Sequence, residues 1–165
     1  MRPEEETGYL ILAAQREGNR LMATTLRPLG VTPAQAEVLQ VLADRQPLTL
    51  TGLGELLVCE SGTNPSRLVD RLVTAGLVQR AESAQDRRQV ELSLTPAGRG
   101  KARRIDEIKE QMYQIMGSVG AGHDIQQVLG YLRALVHGRP SGLAIDRRTG
   151  RRARSPGRPQ ADQPD

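Results

Sequence analysis

Apolar residues recur at helical spacing along the first 137 positions of the chain. The first such segment, 8–27, ends at Pro28-Leu29-Gly30 and predicts a helix. Thr32 followed by Pro33, with Gln35 three residues after the threonine, is the pattern of a capped helix start and predicts a second helix to about Asp44. An extended piece at 48–50 comes next, and Thr51 is the expected cap of a short third helix.

A fourth helix is predicted to end near Gly76, with three apolar residues on one face: Leu68, Val69 and Leu72. Two residues are candidates for its N-cap. A cap at Ser61 leaves Pro65 inside the helix, where its missing N–H forfeits a hydrogen bond. A cap at Asn64 places Pro65 at the first helical position, where proline is favoured. The residues alone leave both starts open.

Strict alternation on both sides of a charged loop predicts a β-hairpin. The segments are 77–81 and 89–95, around the loop ESAQDRR. Thr95-Pro96 then begins a long helix, and a last helix is expected over about 124–136. The long helix carries a narrow apolar seam: Ile105, Ile108, Met112, Ile115 or Met116, and Val119. The expected fold class is therefore mainly α with a small β-hairpin wing, a winged helix-turn-helix flanked by dimerisation helices.

The predicted organisation has three parts. Residues 1–30 and 96–137 form a helical dimerisation region, because a narrow seam suits packing against another helix. Residues 31–95 form a winged helix-turn-helix DNA-binding domain. Residues 138–165 contain four Gly, four Pro and few apolar residues, and are expected to be a disordered Arg/Pro/Gly-rich tail.

The charge distribution favours DNA binding only in one region. The net charge of +4 belongs arithmetically to 138–165, because 1–137 holds 16 basic and 16 acidic residues. Within 61–104, however, nine basic residues face four acidic ones, for a net charge of +5. This span includes the fourth helix, the hairpin and the start of the long helix, so a basic surface is expected there.

Composition excludes several other classes of protein. Three Tyr and no Phe or Trp argue against base stacking on aromatic platforms, and one Cys with two His cannot build a four-ligand zinc site. No short motif of a hydrolase, metalloprotease or phosphate-binding loop occurs, so no enzyme activity, cofactor or metal is expected. With no apolar run long enough to span a bilayer, we expect a cytoplasmic protein without membrane contact.

The expected DNA-contacting side chains are of two groups. The outward face of the fourth helix offers hydrogen-bonding residues that can contact base edges or phosphates: Thr63, Asn64, Ser66, Arg67 and Arg71. The hairpin loop adds Asp86, Arg87 and Arg88, and a loop of this kind can reach the backbone or the minor groove.

The sequences RLVDRL with AGLV at 67–78, and DRRQVELSLTPAG at 86–98, resemble the multiple-antibiotic-resistance regulator (MarR) family of bacterial transcription factors. The resemblance implies an obligate homodimer, joined through its first and two last helices, that binds a pseudo-palindromic operator in double-stranded DNA. It also implies release by a small-molecule effector or an oxidant. By the same resemblance, the recognition helix contacts bases, Arg88 enters the minor groove and Asp86 braces the wing.

The expected function is thus a ligand-responsive homodimeric repressor, and two alternatives stay open. One is a winged-helix protein-interaction module without specific DNA binding. The other is a redox-responsive regulator based on Cys59, although a buried structural thiol is the favoured interpretation of that residue. The effector site is not marked by any short motif, but an aliphatic cavity is expected because the chain has so few aromatic residues.

Overall fold

Helices account for most of the described chain. The computed structural model describes residues 1–58, 64–83, 86 and 88–150. In chain order the elements are α1 (Pro3–Leu26), a 3₁₀ turn (Arg27–Leu29), α2 (Pro33–Arg45), β1 (Leu48–Thr49), α3 (Leu50–Gly54), α4 (Pro65–Thr74), β2 (Val78–Glu82), β3 (Val90–Leu94), α5 (Pro96–Gly120), α6 (Ile125–Val136) and α7 (Pro140–Thr149). The mainly helical winged helix-turn-helix class is confirmed.

The hydrophobic core lies between α2, α4, the sheet and the first half of α5. Leu39 and Leu42 of α2 pack with Val69 and Leu72 of α4, and Ile105 of α5 completes the cluster. All five side chains are fully buried, and each such burial stabilises the fold by about 1.5–3 kcal/mol. Apolar side chains with this spacing therefore hold the two helices of the helix-turn-helix against α5.

The hairpin forms part of a three-stranded antiparallel sheet in the order β1-β3-β2. β3 pairs with β2 from Leu94 opposite Val78 to Val90 opposite Glu82, and its other edge pairs with β1. Leu92 and Leu94 point into the core, whereas Val90, close to the hairpin tip, is half-exposed. The inner end of the hairpin is thus anchored in the core and its tip projects from it.

The first turn of α5 packs very closely against the turn that follows α4. Thr95 caps α5 by accepting a hydrogen bond from the Gly98 N–H at 3.0 Å, and its hydroxyl donates to the Gly76 carbonyl at 2.7 Å. A Cβ atom on Gly98 would lie only 1.9 Å from the Leu77 carbonyl oxygen. Gly98 is therefore required for this approach between α5 and the turn that leads into β2.

Two predicted helix starts are displaced from the observed ones. α1 begins at Pro3 rather than near residue 8, because Pro3 occupies a first helical position and Glu4, Glu5 and Glu6 place acids in the first turn, where they favour the helix dipole. The predicted cap at Thr51 is wrong: the hydroxyl of Thr49 accepts the Gly52 N–H at 3.1 Å and caps α3. α3 consequently starts at Leu50, the last residue of the segment predicted to be extended.

Disorder over all of 138–165 is also wrong, because α7 spans Pro140–Thr149. Pro140 stands in its first turn, and Gly150 ends it in the left-handed conformation at φ 68°. α7 buries few apolar atoms, but its arginines make hydrogen bonds to other elements, and Ala144 is 2% exposed. These long-range contacts offset its ordering entropy, and low apolar content alone does not reveal them. Positions 151–165 of the predicted tail lie outside the described residues.

We expect Gly98→Ala to lower the free energy of unfolding by about 1–3 kcal/mol, because the new methyl group must displace the Leu77 backbone. Gly100→Ala is the matched control in the same helix. Its Cβ would meet only the Arg103 guanidinium at 4.0 Å, so the better helix propensity of alanine should raise stability by about 0.5–1 kcal/mol. Chemical denaturation measures both variants, and a Gly98→Ala protein as stable as the wild type would contradict this account.

Candidate nucleic-acid interface

α4 begins at Pro65, with Asn64 as its N-cap. The Asn64 Oδ1 atom accepts the Ser66 N–H at 2.9 Å, and Pro65 takes the first helical position, where no N–H is needed. Of the two starts that the residues left open, the structure has the one at Asn64. Because the carboxamide oxygen holds the cap, the group that Asn64 can offer to DNA is its Nδ2 amide.

α4 divides cleanly into a buried and an exposed face. Leu68, Val69 and Leu72 are buried against the core. Arg67 and Arg71 are exposed on the other side, one turn apart, and Ser66 is half-buried at the N-terminal end. Neither arginine makes a side-chain hydrogen bond or ion pair within the described part of the chain. Their guanidinium groups are therefore available for phosphate or guanine, which accept the bidentate arrangement of arginine donors.

An ion pair connects the recognition helix to the wing. The Arg80 Nη2 atom of β2 lies 2.6 Å from the Asp70 Oδ1 atom of α4, and both side chains are about half-exposed. The predicted net charge of this span included both residues, and the structure pairs them with each other. Ten residues separate the two partners, so no local pattern reveals the pair.

Asp86 makes three hydrogen bonds to the described residues between β2 and β3. Its Oδ1 atom accepts the Arg88 N–H at 3.0 Å, its Oδ2 atom accepts the Gln89 side-chain amide at 3.3 Å, and its carbonyl accepts the Gln89 N–H at 2.9 Å. At the base of the loop the buried Ser83 donates to the Glu91 carboxylate at 2.7 Å. A carboxylate that accepts from the backbone two residues later stabilises a tight turn. Asp86 thereby orients the backbone that carries the exposed Arg88.

Several other basic residues of 61–104 contact this chain itself. Arg99 donates to the Leu94 carbonyl at 2.8 Å, and Lys101 donates to the Leu29 carbonyl at 2.7 Å. Arg104 forms an exposed pair with Glu107 at 3.1 Å. Among the described basic residues of this span, those whose side chains have no partner lie on α4, on the wing and on α5: Arg67, Arg71, Arg88 and Arg103.

Four residues singled out from the sequence lie outside the described part of the chain. These are Cys59, Ser61 and Thr63, before α4, and Arg87, in the wing. The described members of the predicted interface are brought together on two adjacent elements: Asn64, Ser66, Arg67 and Arg71 on α4, and Asp86 and Arg88 on the wing.

A buried carboxylate on α2 is not among the residues predicted from the sequence. Glu37 is 7% exposed, and its Oε1 atom accepts the Val58 N–H at 2.9 Å and the Arg148 guanidinium at 2.7 Å. One signal was available: Glu37 is an acid in a helix segment of mostly apolar residues. Such a position indicates a buried carboxylate with partners elsewhere in the fold, because a buried charge must be paired. Its partners stand 21 and 111 residues away, beyond the reach of periodicity.

Other kinds of site are not found among the described residues. They contain no group of three or more His, Cys, Asp and Glu side chains arranged to hold a metal ion. None of their helices is long and apolar enough to cross a membrane. The described residues form a helix with exposed arginines beside a β-hairpin, the arrangement of a winged-helix DNA-binding protein.

Comparison with known proteins supports this class and adds the family. The family model described as MarR family matches residues 29–89. An organic hydroperoxide resistance transcriptional regulator of Bacillus subtilis is 29% identical over 141 residues, which cover 82% of this chain and 90% of that protein. The multiple antibiotic resistance protein MarR of Escherichia coli is 33% identical over 110 residues, covering 67% and 71%.

A solved structure of a mutant Escherichia coli MarR with operator DNA superposes with a TM-score of 0.66 at 28% identity, covering 79% of this chain and 92% of that one. The fold, the exposed arginines and these relatives together define a DNA-binding transcription regulator of the winged-helix class. The chain belongs to the MarR family, and the resemblance of the segments 67–78 and 86–98 is thereby confirmed.

Proposed function

We propose that the protein is a homodimeric repressor that binds a pseudo-palindromic operator and is released by a small molecule. The observation that carries this proposal is the exposure of Arg67 and Arg71 on α4, opposite its buried face and beside the Asp86-braced wing. Two such helices related by two-fold symmetry would enter successive major grooves about 34 Å apart. The relative solved with operator DNA supports the same mode of binding.

Within each half-site we assign different roles to the side chains. Arg67, near the N-terminal end of α4, contacts a base edge, together with Asn64, Ser66 and Thr63. Arg71, one turn further along, contacts phosphate. On the wing, Arg88 enters the minor groove, Asp86 fixes the turn that presents it, and Arg87 contacts the backbone or the groove next to it.

We expect Arg67→Ala to weaken operator binding by about 1–3 kcal/mol and to relax sequence selectivity, because a bidentate base contact is lost. Arg71→Ala is the matched variant on the same face. It should weaken binding to all duplexes alike and lower the slope of log affinity against log salt by about one. Fluorescence anisotropy with the DNA upstream of the gene and with a scrambled duplex measures both effects. An Arg67→Ala protein that binds the upstream DNA like the wild type would overturn the base-contact assignment.

Exposed apolar faces on three helices support the homodimer. The distal half of α5 exposes Tyr113, Ile115, Met116 and Val119, the last with 74% of its surface accessible. α1 and α6 add further exposed apolar residues, namely Tyr9, Leu10, Ile11, Leu12 and Leu21 on α1 and Ile125, Val128, Tyr131, Leu132 and Leu135 on α6. Apolar patches of this extent mark interaction surfaces, and a second copy of the chain offers the same faces in return.

The double variant Val128→Glu/Leu135→Glu should convert the dimer into a monomer at micromolar concentration, because it places two charges on the apolar face of α6. Gln126→Glu adds one charge on the polar face of the same helix and should leave the dimer intact. Analytical ultracentrifugation distinguishes the two states. A wild type that sediments as a monomer would refute the homodimer.

A cavity between α1, α2 and α5 is our candidate for the effector site. Its volume is about 230 Å³, and its lining combines apolar walls with a polar end: Gly18, Asn19, Met22, Pro33, Ala36, Glu37, Gln40, Lys109 and Met112. Lys109 donates to the Gln40 carboxamide, which in turn donates to Asp106 at 2.7 Å. The apolar side chains of Met22, Ala36 and Met112 support this assignment, and the ammonium group adds a partner for an acidic hydroxyl. We infer a single-ring phenolic effector, since the volume is below that of drug-sized sites.

A panel of simple phenols should raise the melting temperature of the wild type and lower its DNA affinity, because binding to one conformation shifts the equilibrium towards it. Lys109→Met should abolish both effects and retain DNA binding without the phenol. Equal responses of Lys109→Met and wild type would exclude this cavity. A redox response through Cys59 stays the alternative to a phenolic effector. The Bacillus subtilis relative supports this alternative, because it is named for resistance to organic hydroperoxides.

A further inference from the structure

The C-terminal helix α7 is attached to the helix-turn-helix at three points. Arg45, at the end of α2, donates to the Arg148 carbonyl at 2.8 Å. Arg147 donates to the carbonyl of Glu55, just after α3, at 3.4 Å. Arg148 itself reaches Glu37 in the first half of α2, at 2.7 Å. α7 therefore contacts α2 and the turn that follows α3.

The Arg148–Glu37 contact is the most buried ion pair among the described residues. Their side chains are 28% and 8% exposed, whereas the partners of the other described pairs are about half-exposed or more. A buried carboxylate is stable only when it is paired and hydrogen-bonded, and the removal of one partner leaves an uncompensated charge. Arg148 therefore helps to set the orientation of Glu37.

Glu37 also holds the backbone that follows α3. The same Oε1 atom that meets Arg148 also accepts the Val58 N–H at 2.9 Å. α3 in turn packs against the start of α4, since a Cβ atom on Gly54 would lie 3.8 Å from the Pro65 side chain, so the place of the Val58 amide bears on this contact. A charge-assisted hydrogen bond of this type is about twice as strong as a neutral one.

The other end of α7 is closely packed on α6. A Cβ atom on Gly142 would lie 2.1 Å from the Val136 carbonyl oxygen, so the first turn of α7 and the last turn of α6 touch through their backbones. α6 carries one of the apolar faces assigned to the dimer. A continuous path of contacts therefore runs from α6 through α7 and Glu37 to Val58.

We propose that α7 positions the recognition helix, with Arg148 acting through Glu37 on the Val58 amide. Arg148 is thus a positioning residue for DNA binding, although it lies in the C-terminal helix and needs no contact with DNA. This inference rests on the proposed function, because it specifies what holds the DNA-contacting helix in place.

The test compares Arg148→Met with Arg147→Met in the full-length protein. Both variants remove one positive charge from neighbouring positions of α7, but the contacts of Arg147 with Glu55 are exposed and long, 3.7 Å to the carboxylate and 3.4 Å to the carbonyl, and contribute little. Two quantities are measured: amide hydrogen exchange at Val58, and affinity for the tightest duplex selected from a random-sequence pool. We expect Arg148→Met to speed exchange at Val58 and to weaken binding about tenfold. Arg147→Met should resemble the wild type in both.

A double variant tests the coupling between the two partners. If Arg148 acts through Glu37, Glu37→Gln/Arg148→Met should lose no more affinity than Arg148→Met alone. Should Arg148→Met fail to fold, Arg148→Lys and Arg147→Lys provide the same comparison, because lysine keeps the charge and loses the planar guanidinium.

Unchanged exchange at Val58 in Arg148→Met would overturn the proposal, and so would equal losses of affinity in the two variants, which would indicate a general charge effect. A wild type that selects no duplex would refute the proposed function and the role of α7 in DNA binding. The exchange measurement would still decide separately whether Arg148 restrains Val58.

Discussion

Burial of one face of α4 is the constraint on which the DNA-binding arrangement depends. Leu68, Val69 and Leu72 pack into the core with α2 and α5, and their position determines which side chains of the helix remain outside. Because 3.6 residues make one turn, Arg67 and Arg71 must then lie together on the exposed side. The same core holds Leu92 and Leu94, so the wing is fixed relative to the recognition helix. One set of apolar contacts thus positions both groups of basic side chains.

The electrostatic character of this surface is more local than its formal charge. Arg80 is paired with Asp70, while Arg99 and Lys101 donate to backbone carbonyls. These residues hold α4, β2 and α5 together. Within 61–104, most of the described basic side chains without a partner lie on the outward face of α4 and on the wing, which favours a defined docking geometry there.

Local signals predicted most of the fold, and long-range contacts account for the rest. The Thr32 and Thr95 caps, the alternation in 89–95 and the apolar face of α4 could be derived from the sequence, because each depends on neighbours within a few positions. The two candidate starts of α4 could not be separated, since Ser61 and Asn64 are both good caps. α7 was missed because its order depends on Glu37, 111 residues from Arg148. Of the predicted interface, Thr63 and Arg87 lie outside the described residues.

The central claim is sequence-selective binding of double-stranded DNA by this surface. The most direct test is an anisotropy titration of the wild-type protein with the duplex upstream of its gene and with a scrambled duplex of equal length, repeated over a range of salt concentrations. We predict that both affinities fall with salt, and that the upstream duplex binds at least about 10³-fold more tightly at physiological salt. Equal affinity for the two duplexes, or an affinity that does not change with salt, would contradict it.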